Sequence, residues 1–429
     1  MASKRPNILF LFPDQHRFDW LETNPDLPLR TPNLTRLSER GVRFTNAITP
    51  SPLCAPARAC LAAGREYERC GVPSNRQDYP ISQPTFYAQL RDAGYHVTGC
   101  GKFDLHKASP SWGVEGKRLL TAWGFSDGID NAGKWDAVNS GATAPKDPYM
   151  AYLHENDLAE THLTDMRRRR GNKAATFPTL LPEEAYCDNW VGHNGLKLMA
   201  RCPKGQPWFL QVNFTGPHDP WDITARMEQR WRGVDFPLPN GNDQLTAEQH
   251  VAIRQNYAAM VENIDRWVGI YVDELKRRGQ LDNTLIVYSS DHGEMLGDHN
   301  RWAKGVPYQP SLGVPLIIAG PGVCEGILSD ALVSLIDLTA TFLEYGGIAI
   351  LEGIEGRSLR PLLEGQTNVH RPYVSSSLGG WCAVFDGRHK LIQGFGEETQ
   401  LFDLQRDPLE NENLTHREKT VVERLSRLF

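Results

Sequence analysis

Apolar residues along this chain fall into short continuous runs, separated by stretches of mixed periodicity. In Asn7-Ile8-Leu9-Phe10-Leu11-Phe12 every residue after the first is apolar, and comparable runs recur at 96–100, 208–214, 284–289 and 314–318. A strand covered on both faces needs apolar side chains on both, so these runs predict strands of a buried parallel sheet. Residues 31–41, 85–94 and 247–279 instead show helical patterns. Strands alternating with helices predict an α/β fold, with a mostly parallel central sheet and helices on both faces. Ligands of such sheets collect beyond the carboxyl ends of the strands. Asp14, Lys102, His218 and Asp291 each follow one of the runs, so chemically capable side chains are expected together at one edge.

The pattern changes in two places. Residues 103–180, rich in Gly, Trp, Lys and Asp, read as a long loop insertion flanking that edge, where substrate selectivity often resides. Beyond about 370, short strands are expected at 373–375, 382–385 and 390–392, with a turn at Asp386-Gly387 and a terminal helix over 418–429. The expected organisation is a catalytic unit over 1–370 and a small C-terminal α+β subdomain over 371–429.

Composition narrows the function classes. A net charge of −6 over 429 residues argues against nucleic acid as a partner. No apolar run approaches a membrane span, so no membrane partner is expected. Met1-Ala2-Ser3-Lys4-Arg5-Pro6 has no apolar leader core, which predicts a cytoplasmic location. The cysteines at 54, 60, 70, 100, 187, 202, 324 and 382 contain no Cys-x-x-Cys pair, which suits neither a zinc site nor a dense disulfide framework.

Cys54-Ala55-Pro56-Ala57-Arg58 carries the most specific chemistry. Pro56 suits the first helical position and Gly64 a left-handed cap, so Cys54 is expected just ahead of a helix. Free N–H groups and the positive end of the helix favour an anion there, and Arg58 adds charge within one turn. A buried structural cysteine fits these residues equally well. Together with Gly64-Arg65, the segment resembles the maturation motif of the type I sulfatases of the alkaline phosphatase superfamily, with Ala57 where serine is usual. The resemblance implies that a formylglycine-generating enzyme oxidises Cys54 to formylglycine, whose hydrated aldehyde is the nucleophile.

Asp14-Gln15 and Asp291-His292 follow two of the strands and offer carboxylate, amide and imidazole donors. Each aspartate alone is equally well read as a helix cap. Hard oxygen donors suit Ca²⁺ or Mg²⁺, and the nitrogen admits Mn²⁺. Residues 290–299 through Lys304-Gly305 are close to the second metal-binding segment of sulfatases. Pro13-Asp14-Gln15 lacks one of the two aspartates common there, as in choline sulfatases and phosphonate monoester hydrolases. The resemblance implies one divalent cation, calcium first, held by Asp14, Gln15, Asp291, His292 and the modified Cys54. It implies Arg58, Lys102 and Lys304 as sulfate-facing cations and Asn75 on the sulfate or metal side. His218, within residues 213–221, is implied as the acid that protonates the leaving alcohol.

One departure stands out. The family's Gly-Lys-x-His is here Gly101-Lys102-Phe103-Asp104, with His106 two residues on, so Asp104, His106 or another group is left to do that histidine's work. Residues 400–408 with Glu410, Asn413 and Leu414 resemble the C-terminal segment of the family, and the likeness lapses in 103–180 and 222–245. The function implied is hydrolysis of a sulfated carbohydrate, an aryl sulfate or another small sulfate ester. A phosphonate or phosphate diester hydrolase and a non-catalytic binding protein are the alternatives. Arg167 to Arg170 read as solvated surface, or as a clamp for a second anionic group on a sulfated sugar. Trp221 and the tryptophans of 112–135 read as core or as stacking platforms, and the oligomeric state is left open.

Overall fold

A computed structural model describes residues 5–241 and 245–429. Residues 1–4, on which the reading of the N-terminus partly rests, and 242–244, within the 222–245 segment, lie outside the described residues. The central sheet contains β1 (Asn7–Leu11), β2 (Gly41–Ile48), β3 (His96–Gly101), β4 (Asp127–Asp130), β5 (Trp208–Asn213), β6 (Thr284–Ser289), β7 (Leu316–Ala319) and β8 (Ile327–Ser334). Its order is β4-β3-β5-β1-β6-β7-β2-β8. The neighbours β3, β5, β1 and β6 run parallel, so their carboxyl ends share one edge. The 314–318 run becomes β7, antiparallel to both β6 and β2. β2, β4 and β8 escape detection by apolar runs because β2 mixes polar residues into its length, β4 is short and β8 begins exposed.

Alternation along the buried strands divides the core between two faces. Ile8, Phe10, Phe12, Phe209 and Val287 face the helices Cys54–Ala63, Phe86–Asp92 and Asp337–Tyr345. Leu9, Leu11, Leu210, Ile286 and Tyr288 face the helices Cys187–Arg201 and Ala247–Arg277. The long second helix starts with a capping box between Thr246 and Gln249. The segment expected to be loop, 103–180, instead holds β4 and the helices Leu120–Trp123, Lys134–Gly141, Pro148–Glu155 and Ala159–Arg169. Of its tryptophans, Trp112 and Trp123 are buried core residues, the first of the two readings of them.

A second, antiparallel sheet joins β9 (Val374–Leu378), β10 (Trp381–Phe385), β11 (His389–Gln393) and β12 (Gln400–Asp403) in the order β12-β11-β10-β9. Its apolar face packs on Ile48, Leu312 and Leu332 of the main body. Polar ties add direction: the Trp381 indole donates to the Gly305 carbonyl at 3.3 Å, beside Lys304. Buried Lys390 pairs with Glu410, whose other oxygen accepts from the Gln309 N–H at 2.6 Å.

Buried Asp337 fastens the segment between the sheets. Its carboxylate accepts from the Ser334 N–H (3.0 Å), the Arg357 N–H (2.7 Å), His370 Nε2 (3.1 Å) and the Arg371 guanidinium. Burial opposes its charge, yet His370 and Arg371 hold its pKa below the usual carboxylate range. A depressed folded-state pKa contributes stability above the unfolded value of about 3.9, lost as pH falls through the folded value. Asp337→Ala is therefore expected to destabilise the fold by roughly 3–5 kcal/mol. In urea unfolding at pH 7 and pH 3, the variant's loss relative to wild type should shrink at the lower pH.

Candidate active site

The helix Cys54–Ala63 enters the core with all of its residues buried and ends on Gly64, whose φ of 66° is the left-handed region glycine adopts freely. Its start differs from the sequence expectation: Cys54 is the first helical residue and Pro56 the third, with Leu53 in the capping position. Pro56 is accommodated because the first turn has no carbonyl partner for its missing N–H. No side chain of Leu53 caps the turn, and the Ala55 N–H instead donates to Asn75 Oδ1 at 3.0 Å.

Around Cys54 the edge of the parallel strands delivers a dense buried cluster. Donor atoms of Asp14, Cys54, Asp291 and His292 all lie within 4.8 Å of one another. Cys54 Sγ is 3.2 Å from His292 Nε2 and 3.9 Å from Asp14 Oδ1. His292 Nδ1 meets the Gly293 carbonyl at 3.0 Å, which turns Nε2 toward the cluster. Arg58 Nε donates to Asp291 Oδ2 at 2.9 Å and Arg58 Nη2 is 3.6 Å from Asp14 Oδ2. Lys102 pairs with the same Asp14 oxygen and lies 3.0 Å from Asp104. Burial opposes the charge on Asp14, but Lys102, His218, Arg58 and Lys304 outweigh it and hold that carboxyl well below its usual range. Burial and Asp14 likewise oppose ionisation of Cys54, and Lys102, Lys304 and His292 overcome them, holding the thiol well below its usual pKa.

Gln15, at a φ of 70°, follows Asp14 with its N–H on Asp291 Oδ1 at 3.0 Å. Its amide side chain accepts from Lys304 and donates to Glu294. Glu294 is thereby a second-line partner that the residue pattern alone did not single out; its carboxylate also accepts from the Leu296 and Ala303 N–H groups, at 3.0 and 2.6 Å.

Above the cluster opens a cavity of about 160 Å³ lined by Cys54, Asn75, Lys102, His218 and Lys304. His218 Nε2 stands 2.6 Å from Lys304 Nζ, while Nδ1 meets the Asp219 carbonyl at 2.6 Å and Asp219 Oδ1 at 3.1 Å. The loop carrying His218 is clamped from both sides. Asp188 Oδ1 accepts from Thr215 N–H (2.7 Å), Thr215 Oγ1–H (2.9 Å) and Gly216 N–H (3.0 Å), and the Asp14 N–H donates to the Gly216 carbonyl at 3.1 Å.

The two candidates for the missing histidine separate. His106 is not among the residues that line the cavity; it binds Asp130 Oδ2 at 2.8 Å, stacks on Trp123 and packs against the tilted ring of Trp112, so it supports the core. Asp104 is buried beside the cavity, held by Lys102 and by Lys107 at 3.0 Å. Lys107 and Lys134 line the cavity as well and had no signal in the sequence, since each is brought there from the 103–180 segment by folding. Lys107 pairs with Asp136 at 2.7 Å and Lys134 with Asp222 at 2.6 Å.

Comparison with known proteins fits this arrangement. The sulfatase family model matches residues 6–348, and the model of the N-sulphoglucosamine sulphohydrolase C-terminal region matches residues 297–428. The chain belongs to the sulfatase family. A choline-sulfatase of Rhizobium meliloti is 31% identical, with 99% of this chain and 85% of the relative aligned. An arylsulfatase of Clostridium perfringens is 27% identical over 97% of this chain and 91% of its own length. The phosphonate monoester hydrolase of Agrobacterium radiobacter superposes with a TM-score of 0.83 at 22% identity, covering 99% of this chain and 94% of the other. A chain solved with its substrate D-glucosamine-2-N,6-O-disulfate gives 0.80 at 21% identity over 99% and 96% of the two chains. The alkaline-phosphatase-like fold and a sulfuric ester hydrolase activity follow.

In this sulfatase one side of the His218 loop is held by a single carboxylate, that of Asp188. Asp188→Ala strands three donors, each worth about 1–3 kcal/mol when buried and unpaired. A stability loss of at least about 2 kcal/mol in urea unfolding is expected, together with a fall in kcat/KM of roughly tenfold or more, measured well below the melting transition.

Proposed function

We propose that this sulfatase hydrolyses the sulfate ester of a carbohydrate or aryl alcohol, with formylglycine generated from Cys54 and one divalent cation. The observation that carries the reading is the meeting of Cys54 with Asp14, Asp291 and His292 at the floor of a lysine-lined cavity. Oxidation at position 54 would exchange the thiol for an aldehyde, whose hydrate offers a hydroxyl nucleophile in the same place.

The donor set suits a cation. Asp14 and Asp291 supply carboxylate oxygens, His292 a nitrogen turned inward by its bond to Gly293, and Gln15 an adjacent amide. This mixture favours calcium, with manganese or magnesium as alternatives. Bound there, the cation would polarise the sulfate and lower the pKa of the nucleophile.

The remaining work belongs to the chain's own side chains. Lys102 and Lys304 bring positive charge to the sulfate oxygens, in a site where burial strengthens each interaction. Arg58 holds Asp291 and, through Asp14, the geometry of the cluster. His218 Nδ1 is occupied by Asp219, so Nε2, beside Lys304 Nζ, is the atom that passes a proton to the departing oxygen. Asp104, bridging Lys102 and Lys107, takes the position of the family histidine and acts on sulfate release through those lysines.

Peptide mass spectrometry after co-expression with a formylglycine-generating enzyme should show Cys54 converted to the aldehyde or its hydrate, and Cys54→Ala should abolish turnover. An unmodified thiol in fully active protein would overturn the reading. For His218→Ala, kcat/KM on an alkyl or sugar sulfate should fall about 10²–10⁴-fold, and much less on 4-nitrophenyl sulfate, whose leaving group needs no acid. Equal losses on both would remove His218 from the acid role. Faster turnover of a phenyl phosphonate ester than of any sulfate ester would reassign the substrate.

A further inference from the structure

A second cavity, of about 290 Å³, adjoins the first and shares Trp135 and Asp219 with it. Trp135, Trp221 and Trp302 contribute its aromatic walls, and Lys173 stands at its rim. The carboxylates that also line it are committed elsewhere. Asp219 accepts from the Trp135 indole at 3.2 Å and faces His218, while Glu294 accepts from Gln15 and two backbone N–H groups.

The arginine run noted in the sequence divides here. Arg167 pairs with Glu160 at 2.9 Å. Buried Arg169 pairs with Asp165 at 3.1 Å and donates to the Ala175 carbonyl at 2.9 Å, so it braces the loop rather than meeting a ligand. Arg170 lies 5.5 Å from the Trp135 ring centre, and Lys173 lies 4.9 Å from that of Trp302. Among the described residues neither has a carboxylate within 4.0 Å. Arg170 donates to the neutral amide of Asn139, so two cations without a carboxylate partner are seated on tryptophans of this cavity.

We infer that this cavity holds the alcohol part of the substrate and that this part carries a second anionic group, a sulfate or carboxylate, read by Lys173 and Arg170. The inference rests on the sulfate-ester reading above. It also runs against a quaternary ammonium alcohol, because two of the three tryptophan rings of the cavity, Trp135 and Trp302, already carry cations of the chain itself.

The test compares matched monosaccharide sulfates that differ only in a second sulfate or carboxylate, with choline sulfate alongside. Matured enzyme should prefer the doubly charged member by about tenfold or more in kcat/KM, and the preference should shrink as salt rises. In Lys173→Glu and in the Arg170→Glu, Lys173→Glu pair, that ratio should collapse toward one. Calorimetry on Cys54→Ala, which cannot turn substrate over, should show the same ratio in Kd. An undiminished ratio in the variants, or choline sulfate as the best substrate, overturns the inference. A retained Kd ratio without hydrolysis of any sulfate ester would support this subsite and fault the assigned reaction instead.

Discussion

Two buried carboxylates matched to two buried cations govern this molecule. Asp14 and Asp291 leave adjacent parallel strands at the same edge, and neither charge would be tolerated there alone. Arg58 reaches them from the Cys54 helix and Lys102 reaches Asp14 from the end of β3. The pairs therefore tie four elements together around Cys54: the ends of β1, β3 and β6 and the Cys54 helix. The desolvation this requires contributes little to stability by itself. What it secures is a rigid set of donors that do not have to reorganise when a charged ester arrives.

Support for this cluster comes in layers from elsewhere in the chain. Asp188 fixes the loop bearing His218, and Glu294 fixes the amide of Gln15 beside Lys304. The small C-terminal sheet reaches the same place, since Trp381 binds the carbonyl next to Lys304 and Glu410, just beyond that sheet, accepts from the Gln309 N–H. A residue far from the chemistry can thus move a lysine in the cavity. The last sixty or so residues are thus joined to the Lys304 segment by directed hydrogen bonds as well as by apolar packing.

Much of the architecture was legible in one dimension. The continuous apolar runs at β1, β3, β5 and β6 are the mark of strands covered on both faces, and the residues following them are the site. Cys54 with Arg58 was legible because the helix start, the small residues and Gly64 are local features. The reversed direction of β7 was not, because an apolar run carries no sign of its partner's orientation. Nor was the strand β2, whose polar residues Arg43, Thr45 and Asn46 interrupt its apolar positions. The 103–180 segment misled for a related reason: tryptophan and glycine there serve buried packing and tight turns, as at Trp123 and Gly124, where composition alone suggests an exposed loop.

By itself the sequence determined the strand ends, and with them Asp14, Lys102, His218 and Asp291, and the helix start that carries Cys54, because local pattern dictates where each element begins and stops. Only the tertiary structure separated residues that stand near one another in the chain. His106 and Asp104 are two residues apart, yet one is drawn onto Asp130 beside two tryptophans and the other is held against the lysines of the cavity. It also decided which members of the arginine run are braces and which lack a carboxylate partner, since that depends on carboxylates arriving from elsewhere. Long-range charge pairing has no periodicity along a chain, and so leaves no trace until the chain is folded.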